Sequence, residues 1–158
     1  MNVVFINRQR TKKINARRLK LAANILFDEL NLTEGELGVN LVNARQMTLI
    51  NETFLKHTGS TDVITFDHGD KPFSKKCCAP EIHGELFICV DEAILQARRF
   101  KTHWRSEVIR YLVHGVLHLL GHDDLIAVKR RSMKREENRL VRLLKKDLSS
   151  RRSARILK

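Results

Sequence analysis

His114 and His118 stand four residues apart in the segment Val113-His114-Gly115-Val116-Leu117-His118-Leu119-Leu120-Gly121-His122-Asp123-Asp124. That spacing constrains the fold more than any other feature of the chain. On a helix, residues four apart share one face, one turn above the other. Ile109, Leu112, Val113, Val116, Leu117 and Leu120 occupy the rest of the circumference, so the helix predicted over His103–Leu120 is mostly buried. Glu107 and Tyr111 extend its polar stripe by two more turns. Buried imidazoles need partners, because a polar group left unpaired costs roughly 1–3 kcal/mol. Two imidazoles at this spacing can share one tetrahedral metal ion, a plain structural pair being the alternative.

Gly121 follows three residues after His118 and suits the left-handed residue that ends a helix. The chain can therefore turn back and carry Asp124 toward the histidines, with His122 and Asp123 as alternative donors. Two His and one carboxylate leave a fourth position open, as a catalytic zinc site requires. The spacing His-x3-His-x2-Gly-x2-Asp is that of the long zinc-protease motif with Asp in place of the last His. Those proteases set a Glu directly after the first His as general base. Gly115 stands there instead, which argues against peptide hydrolysis by that route.

The other periodicities predict a single α+β domain. Val3–Ile6, Glu36–Val42, Asp62–Phe66 and Gly84–Val90 read as four strands of a small mixed sheet. Asn15–Leu30, capped by Asn15, then Ala44–Phe54, Glu92–Phe100 and a basic segment from Val128 to about Lys146 read as helices. With the histidine helix these make five helices packed on the sheet. His68–His83 is polar, holds both prolines and reads as a loop. Trp104 and Phe100 could stack on a nucleobase, but core packing is the expectation for both.

Charge is the one compositional feature with functional weight. Of the net +12, ten units fall in residues 128–158, where thirteen Lys or Arg face Glu136, Glu137 and Asp147. Attraction to a polyanion would be concentrated there. Leu140, Leu143 and Leu144 should pack on the domain, which is expected to span residues 1–146, with 147–158 a frayed basic extension. Cys77, Cys78 and Cys89 make an odd count without Cys-x-x-Cys spacing, so reduced thiols are expected. No apolar run reaches the length of a membrane span, and the first residues do not read as a secretory signal. A cytoplasmic location with no membrane partner is the expectation.

Three ordered segments resemble the YbeY family, bacterial endoribonucleases of ribosomal RNA maturation. The family motif His-Gly-x-Leu-His-Leu-x-Gly-Tyr-Asp-His is matched at His114, Gly115, Leu117, His118, Leu119, Gly121 and Asp123. Asn51, Phe54, Thr61, Asp62, Val63 and Phe66 fit a second motif, and Gly84-Glu85-Leu86-Phe87-Ile88 a third. The chain departs from the pattern where the third His is Asp124, the Tyr is His122, and an Arg after the Phe is Leu55. The resemblance implies metal-assisted cleavage of an RNA phosphodiester with one zinc ion, another divalent metal being the alternative. His114, His118 and Asp124 would be the ligands. Lys56 or His57 would supply the charge of the missing Arg, and Thr61 and Asp62 would orient the backbone or a water. Arg130 and Arg131 on the basic helix would hold substrate phosphates. Ribosomal RNA and ribosomal particles are the implied partners, with room for a ribosomal protein or a GTPase. A ribosome-assembly factor with a structural metal and no turnover is the competing reading.

Overall fold

The computed structural model describes residues 1–69 and 80–156, with side chains described through Ser150. Its elements in chain order are β1 (Asn2–Asn7), α1 (Ala16–Glu29), β2 (Gly35–Val42), α2 (Ala44–Ile50), a π-helical turn (Asn51–Leu55), β3 (Val63–Asp67), β4 (Ile82–Cys89), α3 (Val90–Arg99), α4 (Trp104–Leu119) and α5 (Ala127–Ile156). The strands form one sheet in the order β1-β2-β4-β3. β1, β2 and β4 run parallel and β3 runs antiparallel to β4. This is the α+β domain with a mixed four-stranded sheet that the periodicities predict.

Side chains alternate across a strand, and β4 shows how that alternation builds two layers. Ile82, Leu86 and Ile88 are buried in the main core with Leu26 of α1, Leu112, Val116 and Leu117 of α4, and Leu140 and Leu144 of α5. Phe87 points the other way, into a smaller cluster with Val42, Met47, Ile64 and Phe66. α4 lies in the larger layer, flanked by α3 and α5 and pressed on β3 and β4. Each fully buried aliphatic side chain there contributes roughly 1.5–3 kcal/mol.

Local signals set most of the ends. Asn15 caps α1, its side-chain oxygen accepting from the Arg18 amide at 3.1 Å. Asn43 and Gln46 exchange bonds across the first turn of α2. α2 is shorter than the predicted helix over Ala44–Phe54, because its continuation widens into the π-helical turn. There the buried Asn51 donates its side-chain amide to the Gly59 carbonyl at 2.9 Å. Lys56 closes the turn in the left-handed region at φ 55°. β4 starts at Ile82, two residues early, because Ile82 and His83 still pair with Gly35 and Glu36.

α5 continues through Ile156, past the expected end near Lys146. Met133, Leu140, Leu144 and Leu148 keep to one buried stripe, and Leu148 is still packed in the core. The predicted loop His68–His83 lies outside the described residues from 70 to 79, and Cys77 and Cys78 with it. Cys89 is a buried free thiol. Trp104 packs partly against the core, whereas Phe100 is exposed, contrary to the expectation of core packing.

Candidate metal centre

Two glycines place the histidine helix. A methyl group at Gly115 would lie 2.6 Å from a Leu86 methyl, so glycine lets α4 settle onto β4. A side chain at 115 would therefore point into the sheet, which is why no general base can stand after His114. Gly121 ends the helix at φ 85°. Its amide bonds the His118 carbonyl at 2.9 Å and the His122 amide bonds the Leu117 carbonyl at 3.0 Å. This paired closure reverses the chain and returns residues 122–124 alongside the helix.

Each imidazole is fixed through Nδ1. His118 Nδ1 lies 3.0 Å from the His122 carbonyl oxygen, and His114 Nδ1 lies 3.0 Å from Glu137 Oε2. A carbonyl and a carboxylate only accept, so both rings donate from Nδ1 and present a lone pair at Nε2. The two Nε2 atoms are 3.0 Å apart. Asp124 Oδ2 is 4.0 Å from the first and 3.9 Å from the second. Facing lone pairs repel unless a cation joins them. A proton is the poorer choice, because burial and then the neighbouring His114 push His118 below its ordinary value, Asp124 offsetting them only in part.

A metal ion fits better. In the plane of the three donor atoms the equidistant point lies about 2.1 Å from each, within the usual range of bond lengths from zinc to imidazole or carboxylate. Among the described residues these three form the one cluster of His, Cys, Asp or Glu with metal-ligating spacing. The alternative donors are occupied or turned away. Asp123 Oδ1 accepts from the Leu125 amide at 2.8 Å and its Oδ2 from Lys129 at 3.1 Å. These bonds, the Leu125 amide first and Lys129 next, hold the Asp123 carboxyl below the ordinary value. His122 contributes its backbone carbonyl while its side chain is exposed.

His114 and Asp124 line a cleft of about 300 Å³ whose walls also include Asp62, Arg110, Tyr111, Arg130, Lys134 and Glu137. Asp62 Oδ1 accepts from the Val63 amide at 3.0 Å and the Thr61 hydroxyl at 3.2 Å. Of the residues the sequence nominates for catalysis, Asp62 alone lines this cleft. Lys56 and His57 are exposed and outside its lining. Arg130 lines the cleft, anchored to the Asp124 and Leu125 carbonyls at 2.9 and 3.2 Å. Arg131 is exposed and does not.

Four of these wall residues, Arg110, Tyr111, Lys134 and Glu137, are not nominated by the sequence. The Tyr111 hydroxyl is buried without a partner among the described residues. Burial, with Asp62 and Glu107 nearby, pushes its ionisation upward, so it is a neutral hydroxyl. Glu137 is 3% exposed. It receives Arg110, Lys134 at 2.8 Å and His114. Burial alone would raise its carboxyl, but these bonds reverse that and hold it at about 2. The sequence does carry a signal for Glu137: it falls on the apolar stripe between Met133 and Leu140, where a charge must have partners.

Comparison with known proteins bears on the whole chain. The family model described as Endoribonuclease YbeY matches residues 1–145. A protein of that name from Chlorobium phaeovibrioides is 33% identical over 133 residues, 84% of each chain. One from Flavobacterium psychrophilum is 29% identical over 139 residues, covering 88% of this chain and 89% of that one. A longer one from Myxococcus xanthus is 40% identical over 108 residues, which are 68% of this chain and 36% of that protein. A Thermotoga maritima protein known from its solution structure shares the fold, with a TM-score of 0.63 at 20% identity over 96% of this chain and 93% of that one.

Proposed function

Because this chain belongs to the YbeY family, we propose that it is a metal-dependent endoribonuclease that hydrolyses phosphodiester bonds of single-stranded RNA in ribosomal RNA maturation and ribosome quality control. The observation that carries the metal-dependent part is the convergence of His114 Nε2, His118 Nε2 and Asp124 Oδ2 on one point. These three residues would hold one zinc ion or another divalent metal. Such an ion supplies a Lewis acid that polarises a phosphoryl oxygen and lowers the pKa of water.

The protein's own groups do the positioning. Asp62, its Oδ1 held by the Val63 amide and the Thr61 hydroxyl, orients the attacking water from the cleft wall. Arg130, tethered at the mouth, faces substrate phosphate with Arg131 beside it on α5. Lys56 and His57, exposed after the left-handed turn, meet the phosphate charge as the RNA docks. The partners are then ribosomal RNA and ribosomal particles in the cytoplasm, with a ribosomal protein or a GTPase as protein partner. The catalytic domain expected over residues 1–146 carries helix α5 on past Lys146, with Leu148 still in the core, and the basic end beyond Leu148 holds RNA. Among the described residues no helix is long and apolar enough to cross a membrane.

Cleavage of a structured RNA at its single-stranded segments by the metal-loaded protein and by its His114→Ala variant tests this reading. Turnover lost in the variant is the expected result. Equal cleavage by both would identify a contaminating nuclease. A second reading is a non-catalytic ribosome-assembly factor with a structural metal, favoured by Asp124 in place of the family His and Leu55 in place of its Arg. It predicts that chelation lowers Tm and RNA affinity with no turnover to lose. Turnover restored by added metal rules it out.

A further inference from the structure

We propose that Glu137 on α5 is the positioning residue of the metal centre: it holds His114 as the Nδ1–H tautomer, so that Nε2 faces His118 and Asp124. The inference rests on the metal-binding part of the reading above and names a residue outside the ligand motif. Glu137 Oε2 is 3.0 Å from His114 Nδ1, and its other oxygen receives Arg110 and Lys134. Arg110 in turn reaches the Asn138 side chain at 2.8 Å.

The chemistry explains why a carboxylate stands there. A neutral imidazole has one N–H, and the atom that accepts it decides which nitrogen keeps its lone pair. A buried carboxylate binds that N–H strongly and makes the opposite nitrogen a better ligand. Left alone at 3% exposure the charge would be costly. Arg110 one turn before His114 on α4, and Lys134 one turn before Glu137 on α5, remove that cost. Arg110, reaching Glu137 and Asn138 from α4, also ties α5 to α4. His118 has a different device: its Nδ1 is held by the His122 carbonyl, within the same helix ending. The two ligands are therefore oriented independently, one by the local turn and one by a distant helix.

The test uses metal-free and zinc-titrated protein with Glu137→Ala, Glu137→Gln and, as a half-buried neighbour whose carboxylate pairs with Arg139 and not with His114, Glu136→Gln. Long-range nitrogen NMR of metal-free wild type should show His114 protonated at Nδ1. Glu137→Ala should convert it to a mixture or to Nε2–H. Glu137→Gln, which still offers an amide oxygen, should keep the tautomer. Zinc Kd from chelator competition should rise roughly 10–100-fold in Glu137→Ala, less in Glu137→Gln, and stay level in Glu136→Gln. Far-UV circular dichroism of each variant checks folding. If Glu137→Ala does not fold, a Kd raised in Glu137→Gln against a level Glu136→Gln supports the proposal, and a Kd equal to wild type overturns it. An Nε2–H tautomer in wild type, or wild-type affinity and tautomer in a folded Glu137→Ala, also overturns it. If wild type takes up no zinc while the tautomer follows Glu137, the metal reading fails and the positioning role stands.

Discussion

Two side chains in the cleft wall differ in how they are satisfied, and stability should register the difference. The Tyr111 hydroxyl is buried with no partner among the described residues, a state that costs roughly 1–3 kcal/mol. Tyr111→Phe removes the hydroxyl and leaves the ring. Metal-free Tyr111→Phe should unfold at the same or a higher urea midpoint, by about 1 kcal/mol. A fall in midpoint would mean that the hydroxyl has a partner in solution. Glu137 behaves in the opposite way. Its folded carboxyl titrates at about 2, below the ordinary glutamate value of about 4.3. A depressed pKa gives stability that is fully present above the unfolded value and is lost as pH falls toward the folded one. Urea midpoints of metal-free wild type and Glu137→Gln should therefore differ most near neutrality. The gap should narrow between about pH 4.3 and pH 2. A constant gap over that range would place the Glu137 charge outside the folded network.

Helix α4 depends on a contact that charge and hydropathy do not reveal. A Cβ at Gly115 meets Leu86 at 2.6 Å. Gly115→Ala must therefore displace the buried Leu86 side chain or push α4 off β4, with an expected loss of roughly 1–3 kcal/mol from overpacking. Thermal unfolding of metal-free protein measures it, and an unchanged Tm would show that the sheet gives way freely. α1, α3, α4 and all four strands were legible from sequence because their periodicity is local and their faces are strongly apolar. The π-helical turn after α2 was not, because Asn51 finds its acceptor at Gly59 across the following loop. α5 was cut short because its charges mask the stripe that runs on to Leu148. Of the candidate site, the approach of Asp124 to the two histidines was legible from spacing and glycine chemistry. Glu137 reads from sequence only as a charge on the apolar stripe between Met133 and Leu140, and its contact with His114 is set by docking on α4.

For the whole molecule, net charge and core meet in the last helix. Ten of the twelve net positive charges lie in residues 128–158, while Leu140, Leu144 and Leu148 on the same helix close the main core. Two truncations separate the roles. Ending the chain after Ser150 removes Arg151, Arg152, Arg155 and Lys158. Tm should hold, while the dependence of log RNA affinity on log salt becomes shallower by up to about 3. Ending it after Lys146 also removes Leu148 and should lower Tm by roughly 4–8 °C. Salt titrations of RNA binding and paired melting curves report both. An unchanged salt slope in the shorter deletion would confine RNA contact to the folded body.

The reversal at Gly121 has a consequence for the order in which the centre assembles. His114, His118 and Asp124 come from one helix and the turn that ends it, so their convergence has low contact order and needs no distant partner. Glu137 joins only when α5 folds back over α4. A nascent chain that has emerged through residue 124 already carries all three donors but lacks the carboxylate that sets the first one. Metal uptake during synthesis would thus begin on a loosely aimed site, and the docking of the last helix would tighten it.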